Sequence, residues 1–169
     1  MKIFYIAGGN YKSFYINCFL KLKYCDYLIF NFGIIYDLYI NNLKSSVVIK
    51  ELMFIANKLN CIILAGVNIF LNGKKLQAII SCNGKNFSIK YLNSGAKIIT
   101  NNKTFVVGTC ATDYKNYNKI ILSNKRIYPN LNHCVNSKIY LFCDSYGVTI
   151  VKNKKLTRKF NKCSKIILK

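Results

Sequence analysis

Residues 51–66, ELMFIANKLNCIILAG, decide the fold class. In the first half, Leu52, Ile55, Ala56 and Leu59 recur at the spacing that puts them on one face of a helix, and Val48 upstream continues the stripe. Ser45-Ser46 offers N-cap side chains, and Asn60 is a residue that tolerates the left-handed backbone of a helix C-terminus. The pattern therefore predicts a helix over 45–59. Cys61-Ile62-Ile63-Leu64-Ala65-Gly66 follows without a break, an apolar run that suits a strand covered on both faces. A helix leading directly into such a strand points to an α/β or α+β domain.

Upstream, 2–7 reads as a first strand, 11–23 as a helix with Phe14, Cys18 and Leu22 facing inward, and Tyr27-Leu28-Ile29-Phe30 as a buried second strand. Downstream, Asn72-Gly73 and Asn83-Gly84 are the favoured pairs for type I′ turns, so 61–91 should be a three-stranded antiparallel meander. Further strands are expected at 104–109, 119–123, 138–143 and 147–151. A turn through Asn153 then leads into a basic C-terminal segment, 152–169, able to close the sheet with one last hairpin. No internal repeat and no linker is visible, and 169 residues with 52% hydrophobic content suit a single domain over 1–169.

Charge restricts the chemistry. Asp26, Asp37, Glu51, Asp113 and Asp144 are all the acids, against 26 Lys and Arg, and the net charge is +21. Mechanisms built on paired carboxylates have few candidates, while the positive field favours polyanions. The bias to Lys, Asn, Ile, Tyr and Phe resembles the imprint of an AT-rich genome, but glutamate codons tolerate that bias too, so it does not explain the shortage of acids. The eight cysteines include no C-x-x-C pair, and most lie in apolar runs where a thiol acts as a small hydrophobe, so no zinc site is expected. Met1 to Ala7 reads as a strand and not as a secretory leader, which makes the cytoplasm the expected compartment. The longest uncharged apolar stretch, 27–36, has about half the length of a bilayer-spanning helix. Gly8-Gly9-Asn10 lacks the spacing of a phosphate-binding loop, and no cofactor is expected.

The order of these segments resembles the nitrilase, or carbon–nitrogen hydrolase, superfamily, which includes amidases and the glutaminase domain of glutamine-dependent NAD synthetases. Asp26-Tyr27-Leu28-Ile29-Phe30 resembles the family's A-D-L-[IV]-[VF]-F-P-E strand, and 51–66 its helix ending in Ala-x-x-x-Asn before an apolar strand and Gly. Gln77-Ala78-Ile79-Ile80 is similar to a later family strand. Val107-Gly108 through Asp113 sits where the family carries [VI]-G-x-x-[IV]-C-x-D, and Tyr146-Gly147-Val148-Thr149-Ile150 resembles its G-x-S-x-[IV] strand. The resemblance implies a shortened αββα sandwich with mixed sheets.

It also implies a Glu general base, a Lys that stabilises the oxyanion and a Cys nucleophile, and here the sequence departs. The family's Phe-Pro-Glu is Phe30-Asn31-Phe32, and its Tyr-x-Lys is Tyr91-Leu92-Asn93, so both charged groups are missing unless Lys90 or Lys97 substitutes. Alignment on Asp113 puts Ala111 at the nucleophile position and alignment on Gly108 puts Thr112 there, with Cys110 one or two residues early. Cys110 is the candidate nucleophile if the strand register shifts; beside Val106, Val107 and Gly108 it otherwise reads as a buried structural thiol. Asp113 reads as a loop or helix cap, and His133, the sole histidine, should point away from its neighbour Cys134. Convergence of Cys110, Asp37, Lys90 and Lys97 in one pocket would restore the enzyme reading.

The expectation is thus a catalytically degenerate nitrilase-like protein with a structural or ligand-binding role, and two alternatives stand beside it. One is an active amidase using Cys110. The other is a basic nucleic-acid-binding protein, since Tyr114, Tyr117 and Tyr128 interleave with Lys115, Lys119, Lys125 and Arg126, and 152–169 is acid-free. The partners to consider are accordingly a second copy of the chain and a nucleic acid or other polyanion.

Overall fold

The computed structural model describes residues 2–6, 24–32, 34–35, 38–39, 46–91, 98–99, 105–108, 118–123, 126–159 and 163–167. Two mixed sheets stack face to face. The first follows the order β13-β1-β2-β4-β5-β6, with β3 pairing β4 further along, and the second the order β12-β11-β10-β9-β8-β7. Here β1 is Lys2–Ile6, β2 Tyr27–Phe30, β3 Leu38–Tyr39, β4 Ile62–Leu71, β5 Lys74–Cys82, β6 Phe87–Tyr91 and β7 Ile98–Ile99. The rest are β8 Phe105–Gly108, β9 Asn118–Leu122, β10 Ile139–Asp144, β11 Gly147–Lys152, β12 Lys155–Lys159 and β13 Cys163–Ile167. Among the described residues one α-helix, α1 (Val47–Leu59), connects this framework, together with a short 3₁₀ turn at Leu131–His133.

Apart from β3, the two sheets share one pattern of strand directions. In the first, β1, β2 and β4 run parallel, with antiparallel β13 outside β1 and the antiparallel pair β5-β6 outside β4. In the second, β8, β9 and β10 run parallel, with antiparallel β7 outside β8 and β11-β12 outside β10. The shared pattern does not show in the sequence because the two halves fill equivalent crossovers differently. The β2-to-β4 connection carries α1, whereas the β9-to-β10 connection, 123–138, carries only the 3₁₀ turn among its described residues. The expected sandwich is therefore observed in its mixed sheets, with α1 as the one α-helix among the described residues.

Strand alternation divides the core. Leu28, Phe30, Ile63 and Ala65 face α1 and pack on Ile49, Leu52, Ile55, Ala56 and Leu59. Ile3, Tyr5, Tyr27, Ile29 and Leu64 face the other way, onto Ile120, Leu122, Leu141, Cys143 and Val148 of the second sheet. The outer face of that sheet packs Ile121, Tyr140, Phe142 and Val151 against Cys134, Ile127 and Leu131 of the 123–138 connection.

The helix starts at Val47, and its buried stripe begins at Ile49, with Val48 only half-buried, so the predicted face is rotated slightly at its first turn. Ser46 occupies the N-cap position but makes no side-chain capping bond, while Asn60 caps the C-terminus in the left-handed conformation. The 61–91 meander is observed as β4-β5-β6, and β4 lies in the same sheet as β1 and β2. Asn72 and Gly73 both have positive φ, as a type I′ turn requires.

Asn83-Gly84 does not form the second such turn. The Asn83 carboxamide accepts from the Lys85 and Asn86 N–H groups, and this side-chain closure makes a longer loop. Gly84 is still required there, at φ +81° and with the Asn57 backbone of α1 2.9 Å from where a Cβ would sit. An Asn153-Lys154 pair with positive φ at both residues closes β11 onto β12, so part of the basic segment 152–169 is folded into edge strands of the two sheets. The helix expected over 11–23 lies outside the described residues.

Candidate functional site

The position that the family's base would take lies just past the C-terminal end of β2. Phe30 still packs toward α1, and the chain then turns, so Phe32 belongs to the apolar layer between the sheets. Its ring lies on Gly66 of β4: a Cβ at residue 66 would be 2.9 Å from two ring carbons. Gly66→Ala should therefore cost about 1–3 kcal/mol, read as a lower denaturation midpoint, because the ring has no free direction of retreat in a packed layer. An unchanged midpoint would mean that Phe32 is loosely held. Asn31, between the two phenylalanines, is wholly buried, and neither atom of its carboxamide has a hydrogen-bond partner among the described residues.

Of the other residues singled out by sequence, Cys110, Ala111, Thr112, Asp113, Asn93, Asp37 and Lys97 lie outside the described residues. Lys90 is exposed on edge strand β6 opposite Ile79. Glu51 lies on α1 and is half-buried. His133 is exposed in the 3₁₀ turn while Cys134 is buried, its thiol donating to the Asn130 carbonyl at 3.7 Å, so the two do not form a pair.

The described thiols are packing groups. Cys25, Cys61, Cys82, Cys134 and Cys143 are all free and buried. Burial pushes the Cys82 thiol up to about 12 and raises that of Cys143 further, which removes the thiolate a nucleophile needs. Cys25 and Cys61 share a hydrogen bond that lowers the first and raises the second. No group of three or more His, Cys, Asp or Glu side chains able to hold a metal ion occurs among the described residues.

A cavity of about 460 Å³ opens at the opposite end of the first sheet, between Tyr24, Asp26, Asn60, Cys61 and Asn83. The Asp26 carboxylate accepts from the Tyr24 hydroxyl and the Lys2 N–H, both at 2.6 Å, and these bonds hold it below the usual carboxylate range. The cavity lies at the N-terminal ends of the parallel strands, away from the C-terminal ends where open α/β sheets bind ligands.

A second constellation was not anticipated from sequence. Asp144, fully buried where β10 turns into β11, accepts at Oδ1 from the Tyr146 and Gly147 N–H groups at 2.9 and 3.1 Å. At Oδ2 it accepts from the Ile127 N–H at 3.0 Å and from Arg158 Nη2 at 3.2 Å. Its carbonyl accepts the hydroxyl of Tyr5, which crosses from the first sheet. One carboxylate thus joins the 126–128 segment, the β10-β11 turn and β12. Above it, the Arg126 guanidinium is 5.3 Å from the Tyr128 ring centre and 5.6 Å from that of Tyr146. These rings are 74% and 58% exposed. The available sequence signal was Asp144-Ser145-Tyr146-Gly147, an Asp and a Gly at the ends of a four-residue turn.

No family model matches the sequence, and no curated protein matches it. Solved structures do. A CN-hydrolase superfamily protein from Xanthomonas campestris, which carries an arsenic adduct in its active site, superposes with a TM-score of 0.62 at 8% identity, covering 98% of this chain and 89% of that one. A glutamine-dependent NAD(+) synthetase from Cytophaga hutchinsonii superposes with a TM-score of 0.53 at 12% identity, over 98% of this chain and 42% of that one. At such identities the likeness is one of fold, and it matches the superfamily whose segment order the sequence resembles.

Proposed function

We propose that this chain is a carbon–nitrogen-hydrolase-like domain that has lost amide-hydrolysing chemistry and keeps the fold for a structural or ligand-binding role. The observation that carries the reading is Phe32: where the family resemblance calls for a glutamate base, a phenyl ring packs on Gly66 in the apolar layer between the sheets. A carboxylate base needs a partner or solvent to stay charged, and this layer is lined by Ile, Leu and Tyr side chains. Asn31 supports the ligand-binding half, since a buried carboxamide costs about 1–3 kcal/mol for each unpaired group unless something bonds to it. A reducing compartment such as the cytoplasm fits the adjacent free thiols of Cys25 and Cys61. No helix among the described residues is long and apolar enough to cross a membrane.

Incubation of the purified protein with glutamine and a simple amide, with ammonia release as the readout, tests the proposal. Loss of a base or of an oxyanion-stabilising charge lowers turnover by about a hundred- to a thousand-fold each, so no release above the buffer rate is expected, and Cys110→Ala should change nothing. Turnover that Cys110→Ala abolishes would establish the amidase reading in place of this one.

A further inference from the structure

We infer that the exposed surface over the second sheet, formed by the 126–128 segment and the β10-β11 and β11-β12 turns, is a binding surface for single-stranded nucleic acid, with Tyr128 and Tyr146 as stacking platforms and Arg126, Lys154 and Lys155 as phosphate contacts. Two separate features meet on this face. The first is aromatic: two tyrosine rings, 74% and 58% exposed, flank the Arg126 guanidinium. Exposed rings beside a fixed cation suit unpaired bases, which stack on aromatic faces while their phosphates meet the charge.

The second feature is charge. From residue 114 to residue 169 only Asp113's neighbour in type, Asp144, carries a side-chain carboxylate, and it is buried against Arg158. At the far end of β11, the left-handed turn at Asn153 and Lys154 carries exposed lysines. Lys154 lies near enough to Cys134, in the loop that carries the tyrosine segment, for its charge to oppose the effect of burial on that thiol, whereas Lys119, counted with the basic surface from sequence, is buried beside the Tyr140 ring. The two ends of the surface are separated by the length of β11, about 20 Å, which is room for several nucleotides.

The platform is also held in place. Asp144 bonds the backbone of Ile127, next to Arg126 and Tyr128, and the backbone of Tyr146, so both rings stand on segments tied to one buried group. Lysines on edge strand β12 have a second use, to prevent edge-to-edge pairing with another sheet. That use accounts for Lys155 but requires no exposed tyrosines around Arg126.

Fluorescence anisotropy with labelled oligouridylate and oligothymidylate of about fifteen nucleotides, and with a duplex of equal length, at about 0.05 and 0.15 M salt, tests the assignment. The expected result is single-strand binding that weakens with salt, exceeds duplex binding and drops roughly tenfold or more in Tyr128→Ala/Tyr146→Ala. Both rings are largely exposed, so this variant should keep the parent's melting temperature. Lys154→Ala/Lys155→Ala should flatten the salt dependence, whereas Lys58→Ala/Lys85→Ala, exposed lysines of the first-sheet half, should leave it nearly unchanged. Any of three outcomes overturns the assignment: no binding at low salt, unchanged affinity in the tyrosine variant, or equal losses from the two lysine pairs.

Discussion

Asp144→Ala lowers the unfolding free energy by about 3–5 kcal/mol, the range for removing one partner of a buried ion pair. For a domain of this size the melting temperature falls by about 6–20 °C. The reason is the set of donors left behind: the Tyr146, Gly147 and Ile127 N–H groups and the Arg158 guanidinium all bond to this carboxylate. Arg158 is only 13% exposed, so its charge would stay largely buried without the opposing one. Asp144→Asn should cost less, because the carboxamide oxygen still accepts from part of this set. Thermal melts of the two variants beside the parent measure the difference. A loss below about 1 kcal/mol for Asp144→Ala would mean that water replaces the carboxylate and that the junction is not a fixed one.

The contrast between Asp144 and residues 51–66 explains what could be read from sequence. Helix α1, strand β4 and the β4-β5-β6 meander are specified by neighbours in the chain: a 3,4-spaced stripe, an αL-tolerant Asn60 and an Asn72-Gly73 turn. Asn83-Gly84 misled because the same dipeptide can instead close a loop through the Asn83 side chain. The shared pattern of strand directions in the two sheets could not be read, since α1 in one half has the 123–138 connection as its counterpart in the other. The Asp144 junction draws on positions 5, 127, 146, 147 and 158, which no periodicity connects. Phe32 was legible as a missing base only through the family resemblance; its packing on Gly66 required the fold. The proposed nucleic-acid face combines both kinds: Tyr128 and Arg126 stood out in the sequence, and Tyr146 joins them only through the β10-β11 turn.

Phe32→Glu restores the residue type of the family's base, and the protein is expected to lose most of its stability at neutral pH without gaining activity. The substitution removes a ring from the inter-sheet layer and puts a carboxyl among Ile3, Tyr5, Ile29, Leu64 and Leu141. Charged, that group lacks a cation among the described members of the layer, so its ionisation should be displaced upward from the value of about 4.3 in the unfolded chain. Between the unfolded and folded ionisation points the native state binds more protons than the unfolded state, so stability falls as pH rises through that window. Displacements of three to five pH units, typical of full burial, correspond to about 4–7 kcal/mol, comparable with the whole stability of an ordinary domain. Below about pH 4.3 both states carry a neutral carboxyl, and only the lost ring and the buried polar group remain as costs. Urea melts of Phe32→Glu at about pH 4 and pH 7, with Phe32→Leu as the uncharged control, separate the electrostatic part from the packing part. If Phe32→Glu is as stable as Phe32→Leu at pH 7, a cation reaches residue 32 as the family's lysine would. The degenerate reading would then lose the observation that carries it, and the nucleophile position would be left as the departure to test, with Cys110→Ala.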